Sequence, residues 1–191
     1  MKLIDCKGMI CPMPVINTKK YFDSIEKGEA KIIVDNEISK DNICKYAIGC
    51  GYKVDFFKEN DLFLINIEKN NISKKHLNKD ENYALLISSD LLGDGDVNLG
   101  EILMKGYIYT LSESDIIPEK LVFINSGVKL TVKGSSVLES LNKLIDRGVE
   151  ILCCGTCLDF YGIKDGLEVG NITNMYTIVE IINSYGKVIK L

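Results

Sequence analysis

The amino-acid sequence predicts an α/β protein made of two small domains, and three observations support this. Short runs rich in Ile, Val and Leu alternate with segments whose apolar residues recur at helical spacing. A polar stretch, residues 69–82, interrupts the alternation and is interpreted as a linker between a first domain, residues 1–68, and a second, residues 83–191. With 191 residues, 46% of them apolar, the chain is long enough for two such domains.

The first domain is predicted to have the element order β-α-β-α-β-β. Its first helix is indicated by apolar residues at helical spacing from Val15 to Ile25, and Gly28 is expected to end it. Because both helices can cover one face of a four-stranded sheet, the expected architecture is a two-layer sandwich. The predicted strands are residues 2–6, 30–35, 52–57 and 62–67, and the predicted helices are residues 12–27 and 39–49.

The second domain alternates strands and helices more regularly. This alternation implies a mostly parallel sheet with helices on both faces. The predicted strands are residues 83–88, 121–125, 149–153 and 188–191, and the predicted helices are residues 98–111, 135–146 and 173–185.

Charge and hydropathy exclude several classes of function. A net charge of -4 gives no general attraction to nucleic acids or anionic membranes. The apolar stretches are too short to cross a bilayer, and the N-terminus does not resemble a signal peptide. We therefore expect a cytoplasmic protein that binds neither nucleic acid nor membrane. Seven cysteines, an odd number in a reducing compartment, are expected to be free thiols.

Cys11 is the first candidate for chemistry. A residue that precedes proline is disfavoured in helical geometry, so Cys11 should lie just before the helix that Pro12 begins. The N–H groups of the first helical turn, and the positive end of the helix dipole, would then face the sulfur. Such a setting favours a thiolate or a persulfide anion.

Cys154 and Cys157 form a Cys-x-x-Cys pair directly after a predicted strand. In open α/β sheets, ligands bind beyond the carboxyl ends of the strands. The loops at residues 88–95 and 125–128 should end at the same edge, so three loops are expected to converge there. A pair of this kind can close a disulfide or pass a persulfide between its sulfurs.

Other interpretations of these residues are weaker. Zinc would need two more ligands, and the second domain has no further Cys/His cluster, so no metal is expected. A calcium loop starting at Asp94 fails because Leu99 and Lys105 stand where Gly and Glu are required; the acidic loop is instead expected to cap the next helix. A thioredoxin-like Cys-x-x-Cys would come earlier in its domain.

Structural roles are predicted for the remaining cysteines, Cys6, Cys44, Cys50 and Cys153, with a resolving thiol as the alternative for Cys6. His76 is predicted to be a solvated linker residue.

Both domains resemble known families. The segment DCKGMICPMP, residues 5–14, with its Cys-Pro-x-Pro element, resembles the signature of the TusA/SirA-like sulfur carriers, which implies that Cys11 carries a persulfide. The second domain resembles the DsrE-like sulfur-relay fold, and the fusion resembles the YedF-type selenium metabolism proteins. That second resemblance lies in Gly93-Asp94, Leu99-Gly100, FINSGV at residues 123–128 and CGTCLD at residues 154–159.

The resulting hypothesis is a sulfurtransferase-like carrier or relay. It takes a persulfide or selenopersulfide on Cys11 and passes it to Cys154 or Cys157, with no cofactor beyond that covalent cargo. The sequence contains no recognisable rhodanese-like loop or pyridoxal-phosphate lysine, so the donor is expected to be another protein, such as a cysteine desulfurase. A downstream acceptor protein is expected as well, and the DsrE-like resemblance implies a homo-oligomer. Two alternatives stay open: a binding module that only delivers cargo to a partner enzyme, and a dithiol redox protein that uses Cys154 and Cys157.

Overall fold

The computed structural model describes residues 1–70 and 82–191, which fall into two compact units. Most of the predicted linker, including His76, lies outside the described residues. Within the described residues, no helix combines the length and the apolar character needed to cross a bilayer.

The first unit has the predicted order β-α-β-α-β-β. Its sheet order is β1-β2-β4-β3, in which β1 runs parallel to β2 and the other pairs are antiparallel. The elements are β1 (Lys2–Asp5), α1 (Met13–Asp23), β2 (Gly28–Val34), α2 (Glu37–Gly49), β3 (Lys53–Glu59) and β4 (Leu62–Lys69).

One face of this sheet forms the core. Alternate residues of β2 are buried, and Ala30 and Ile32 pair with Ile67 and Ile65 of β4 on the same face. Helices α1 and α2 supply Phe22, Ile43 and Ala47 to the same buried cluster. This period-two burial confirms the predicted two-layer arrangement.

Lys69 was assigned to the linker, whereas the structure places it at the end of β4 and buries it. Its ammonium group donates to the carbonyl oxygens of Phe22 at 2.5 Å and Ile25 at 2.6 Å, at the end of α1. A cation at that position satisfies carbonyls that lack helical partners and complements the helix dipole. Helix α1 ends at Asp23, four residues before the predicted boundary, with Ser24 as its C-cap.

The second unit is a five-stranded parallel sheet in the order β8-β7-β6-β5-β9. All five residues of β5 are buried, as expected for a strand covered on both faces. The predicted parallel sheet with flanking helices is thus confirmed. The elements are β5 (Tyr83–Ile87), α3 (Val97–Ser112), β6 (Lys120–Phe123), a 3-10 helix (Asn125–Thr131), α4 (Leu138–Asp146), β7 (Glu150–Cys154), α5 (Gly155–Phe160), a short 3-10 turn (Lys164–Gly166), β8 (Asn171–Thr173), α6 (Met175–Ser184) and β9 (Lys187–Lys190).

Four elements of this unit are not predicted from the sequence: the first 3-10 helix, α5, the short 3-10 turn and β8. Helix α5 has six residues and β8 has three, too few to display a hydrophobic period. Helix α4 begins at Leu138, three residues later than predicted. The acidic loop caps α3 as expected, because Asp96 Oδ1 accepts from the Leu99 N–H at 3.0 Å.

We predict that Gly127→Ala destabilises the second unit. A Cβ atom at this position would overlap the carbonyl oxygen of Ile87 at the end of β5, so the 3-10 helix or the strand must move. The expected cost is about 2 kcal/mol of unfolding free energy. Gly95→Ala, where a Cβ meets open space, is the matched control and should change stability by less than about 0.5 kcal/mol. Urea unfolding read by peptide-resolved hydrogen exchange separates the two units, and equal midpoints for both variants would contradict the prediction.

Candidate functional site

Cys11 lies in the loop between β1 and α1, where its side chain is exposed. The Cys11–Pro12 peptide bond is cis. Helix α1 begins at Met13 with Pro12 as its N-cap and Pro14 in its first turn. Cys11 therefore sits just outside the helix, as the proline pattern predicts.

The hydrogen-bond donor at Cys11 differs from the expected one. Pro12 and Pro14 have no N–H, and the Met13 N–H donates to the carbonyl oxygen of Ile10 at 3.0 Å. The side-chain amide of Asn42, on α2, donates to Cys11 Sγ at 3.5 Å instead. The hydrogen bond to the Cys11 sulfur therefore comes from α2, whereas the sequence predicts it from α1.

The loop that carries Cys11 is fixed by Asp35, which follows β2. Asp35 Oδ2 accepts from the Gly8 N–H at 2.6 Å, and Gly8 has a φ of 71°, a conformation that glycine adopts without strain. The hydrogen bond from Gly8, helped by one from Asn36, lowers the pKa of Asp35. Asp35 therefore stays anionic at neutral pH, where a charge-assisted bond holds the loop more firmly than a neutral one.

An open groove runs beside the exposed thiol. Ile10 and Ile38 flank it with exposed fractions of 77% and 70%, although both side chains are apolar. These two side chains give the groove an apolar rim next to the thiol. The groove is lined by Gly8, Met9, Ile10, Cys11, Asp35, Asn36, Ile38 and Ser39.

Cys154 and Cys157 lie where β7 passes into α5. Cys154 is the last residue of β7 and the N-cap of α5, with 2% of its surface exposed, whereas Cys157 is half-buried. The main-chain N–H of Asn125 donates to Cys157 Sγ at 3.1 Å. The predicted convergence of the loop at residues 125–128 with the Cys-x-x-Cys pair is therefore confirmed.

The third predicted loop reaches the same edge. The Asp90 N–H donates to Ser126 Oγ at 3.2 Å, and Lys129 Nζ lies 3.2 Å from Asp90 Oδ2. Lys129 Nζ also lies 5.0 Å from the ring centre of Tyr161. All three loops at the carboxyl edge of the sheet are thus connected.

The two sulfurs of the pair interact. Burial raises the pKa of Cys157 and the neighbouring thiol of Cys154 raises it further, while the hydrogen bond from the Asn125 N–H lowers it. Neither cysteine is in a disulfide. The arrangement can therefore act as a dithiol, with the more exposed Cys157 as the sulfur that another molecule meets first.

The remaining cysteines are less accessible than Cys11. Cys6 belongs to the core of the first unit, Cys44 packs against that core, and Cys50 is half-buried at the end of α2. Burial raises the pKa of Cys153 to about 11, and its sulfur lies 3.5 Å from Thr131 Oγ1. In residues 1–70 and 82–191, no three Asp, Glu, His or Cys side chains are grouped as metal ligands would be.

The sequence pattern missed Asp35, Asn42 and Tyr161, and it placed Asn125 in a converging loop without giving it a role. A signal for Asp35 existed, because it follows β2 and the Cys11 loop follows the parallel strand β1, so both meet at one edge. Nothing in the local pattern of α2 distinguishes Asn42, whose position depends on how the helix packs.

Comparisons with known proteins cover both units. The family model described as Sulfurtransferase TusA matches residues 2–69, and that of the DsrE/DsrF-like family matches residues 109–191. A proposed sulfur carrier protein of Methanocaldococcus jannaschii is 37% identical over 71 residues, which are 36% of this chain and 95% of that protein. A second proposed sulfur carrier, from Bacillus subtilis, is 46% identical over 28 residues, 15% of this chain and 37% of that protein.

Two solved structures are each similar to part of the chain. A SirA-like protein from Desulfitobacterium hafniense is 37% identical and covers 36% of this chain and 96% of its own, with a TM-score of 0.35. A protein of unknown function from Methanobacterium thermoautotrophicum is 18% identical and covers 59% of this chain and 100% of its own, with a TM-score of 0.44.

We predict a fixed order of thiol alkylation in the native chain. Cys11 should react first because it is exposed, and Cys157 should follow. Cys6 and Cys153 should react only on unfolding, because burial both shields them and raises their pKa, which reduces the thiolate fraction at pH 7. Peptide mass spectrometry after timed alkylation measures the order, with complete labelling in urea as the control. Native labelling of Cys6 or Cys153 as fast as that of Cys11 would refute it.

Proposed function

The chain belongs to the TusA sulfurtransferase family through its first unit, and from this premise we propose that it carries sulfur as a persulfide on Cys11. The observation that supports this most directly is the exposed Cys11 thiol beside an apolar groove, with the Asn42 amide directed at its sulfur. An accessible sulfur can accept cargo from one protein and give it to another. An amide donor stabilises the anion that the sulfur becomes when loaded.

The loading step is a transfer between thiols. The Cys11 thiolate attacks the outer sulfur of a persulfide on a donor protein. The S–S bond of the donor breaks, its cysteine leaves as a thiolate, and Cys11 holds the transferred sulfur. One sulfur atom moves without net oxidation or reduction, so this step needs no cofactor.

The second unit is proposed to receive or release the cargo at Cys157 and Cys154. If Cys157 holds the persulfide, the Cys154 thiolate can attack its inner sulfur and expel hydrosulfide while a Cys154–Cys157 disulfide forms. The two cysteines are oxidised and the outer sulfur is reduced. A cellular dithiol must then reduce the disulfide before the next cycle.

The proposed donor is a cysteine desulfurase or another persulfide-bearing protein, and the proposed acceptor is a further protein in the same cytoplasmic compartment. Selenium in place of sulfur is proposed from the likeness of the domain fusion to selenium metabolism proteins, and assembly into a homo-oligomer from the likeness to DsrE-like proteins. The net charge of -4 offers nucleic acids no general attraction.

A dithiol redox protein is the second candidate function. The contact between the Cys154 and Cys157 thiols, both free, favours it. In that case the chain would lose about 2 Da on oxidation and gain no sulfur.

We predict that a cysteine desulfurase supplied with ³⁴S-labelled cysteine adds about 34 Da to the Cys11 peptide, and that a donor protein bearing a selenopersulfide adds about 80 Da. Cys11→Ser should abolish loading, whereas Cys50→Ser, at a cysteine outside both sites, should not. A time course should then show label on residues 154–157. Label that stays on Cys11 leaves the second unit outside the relay, and loading of Cys11→Ser at the normal rate would refute the carrier role.

We also predict that Asn42→Asp lowers the equilibrium fraction of loaded Cys11. A carboxylate in place of the amide removes a donor and repels the persulfide anion. Asn42→Ala, which only removes the donor, should cost about 1 kcal/mol, or roughly fivefold in the loading constant. Lys45→Ala, at an exposed position of the same helix, is the control. Quantitative peptide mass spectrometry at fixed donor concentration measures the fraction, and equal loading of all variants would remove Asn42 from the mechanism.

A further inference from the structure

We propose that Asn125 and Tyr161 are positioning residues that make Cys157 the reactive nucleophile of the second unit. This deepens the proposed function, on which it rests only for the identity of the cargo. The position and reactivity of the thiol are testable without any cargo.

The backbone of Asn125 is held in an uncommon conformation. Strand β6 ends at Phe123, and the Ile124 N–H still donates to the Ile87 carbonyl at 3.0 Å. At Asn125 the chain turns into the 3-10 helix with a φ of 50°, in the left-handed region. Asparagine is among the few residues that tolerate this region. In this turn the Asn125 N–H points away from the strand ladder and reaches Cys157 Sγ at 3.1 Å.

The side chain of Asn125 is held by a residue at the C-terminal end of α5. Tyr161 follows α5, and its hydroxyl group donates to Asn125 Oδ1 at 2.9 Å. The Tyr161 ring is itself packed against Lys129, whose ammonium group pairs with Asp90. Asn125 thus contacts α5 twice, by its N–H to Cys157 and by its side chain to Tyr161. Two contacts between the same two elements restrict their relative motion more than either alone.

The electrostatic balance at Cys157 gives Asn125 a chemical role. Burial and the Cys154 thiol both raise the pKa of Cys157, and the Asn125 N–H is the group that opposes them. The titratable groups on α5 and on the elements packed against it are Glu150, Cys153, Cys154, Asp159, Tyr161, Lys129, Lys164 and Asp165. Among them, Cys154 is the group that raises the pKa of Cys157.

Cys154 is a poor alternative nucleophile. It is 2% exposed, so an incoming electrophile reaches Cys157 first. Its position, at the end of β7 and the start of α5, suits a resolving thiol that attacks Cys157 from within the unit.

The test is the pH dependence of Cys157 alkylation, resolved by peptide mass spectrometry in the full chain. Asn125→Val should shift the profile to higher pH and slow alkylation at pH 7 about tenfold, because a β-branched residue disfavours the left-handed region and withdraws the N–H. Asn125→Gly keeps that conformation and the N–H but removes the acceptor of the Tyr161 hydroxyl group, so it should shift the profile no further than Tyr161→Phe does. Tyr161→Phe, which keeps the ring and removes the hydroxyl group, should shift the profile in the same direction as Asn125→Val, by less.

Alkylation of Cys11 in the same samples is the internal control and should be unchanged in every variant. A wild-type profile in both Asn125→Val and Tyr161→Phe would overturn the proposal, as would an equal shift in Asn125→Gly and Asn125→Val. Tyr161→Phe leaves residue 125 unchanged, so it tests the proposal even if Asn125→Val does not fold. Failure of sulfur to appear on residues 154–157 would count against the proposed relay and leave the positioning assignment standing.

Discussion

Parallel strand pairing is the constraint from which both candidate sites follow. Parallel neighbours end at the same edge of a sheet, so the loops that follow them must meet. In the first unit β1 and β2 bring the Cys11 loop to Asp35, and in the second β6 and β7 bring Asn125 to Cys157. The hydrophobic burial that fixes strand register therefore also fixes where the sulfurs lie.

The two thiols are held in physically different settings. Cys11 is exposed and accepts from a side-chain donor, Asn42, whereas Cys157 is half-buried and accepts from a main-chain donor, the Asn125 N–H. A solvated sulfur is open to other molecules, but water competes for its hydrogen bonds. A sulfur shielded from water feels each nearby group more strongly, so small displacements there have larger chemical effects. The exposed setting makes the Cys11 sulfur accessible to other molecules, whereas the shielded setting makes the reactivity of Cys157 sensitive to its hydrogen bonds.

How well the sequence predicts each feature depends on how far apart in the chain the interacting residues are. Strands, long helices and the Cys11 position depend on local periodicity and on proline sterics, so the pattern identified them. The donors Asn42 and Asn125 are placed by tertiary packing, which brings together residues 31 and 32 positions apart in the chain. The six residues of α5 carry too little periodicity to be distinguished from a loop, although they hold Cys157. The Asn42 donor at Cys11 could not be predicted from the Cys-Pro-x-Pro pattern, because Asn42 lies on a different helix.

The buried ammonium group of Lys69 bears on where the first unit can be cut. A shortened chain that stops at Glu68, where the hydrophobic pattern of β4 fades, loses the cation that bonds to the Phe22 and Ile25 carbonyls. Those carbonyls would be left without their buried partner, a loss of about 1–3 kcal/mol for each such group. Lys69 stacks over the Tyr52 ring as well, so the same cut would loosen two layers at once. By these contacts Lys69 belongs to the first unit, so a shortened chain should include it.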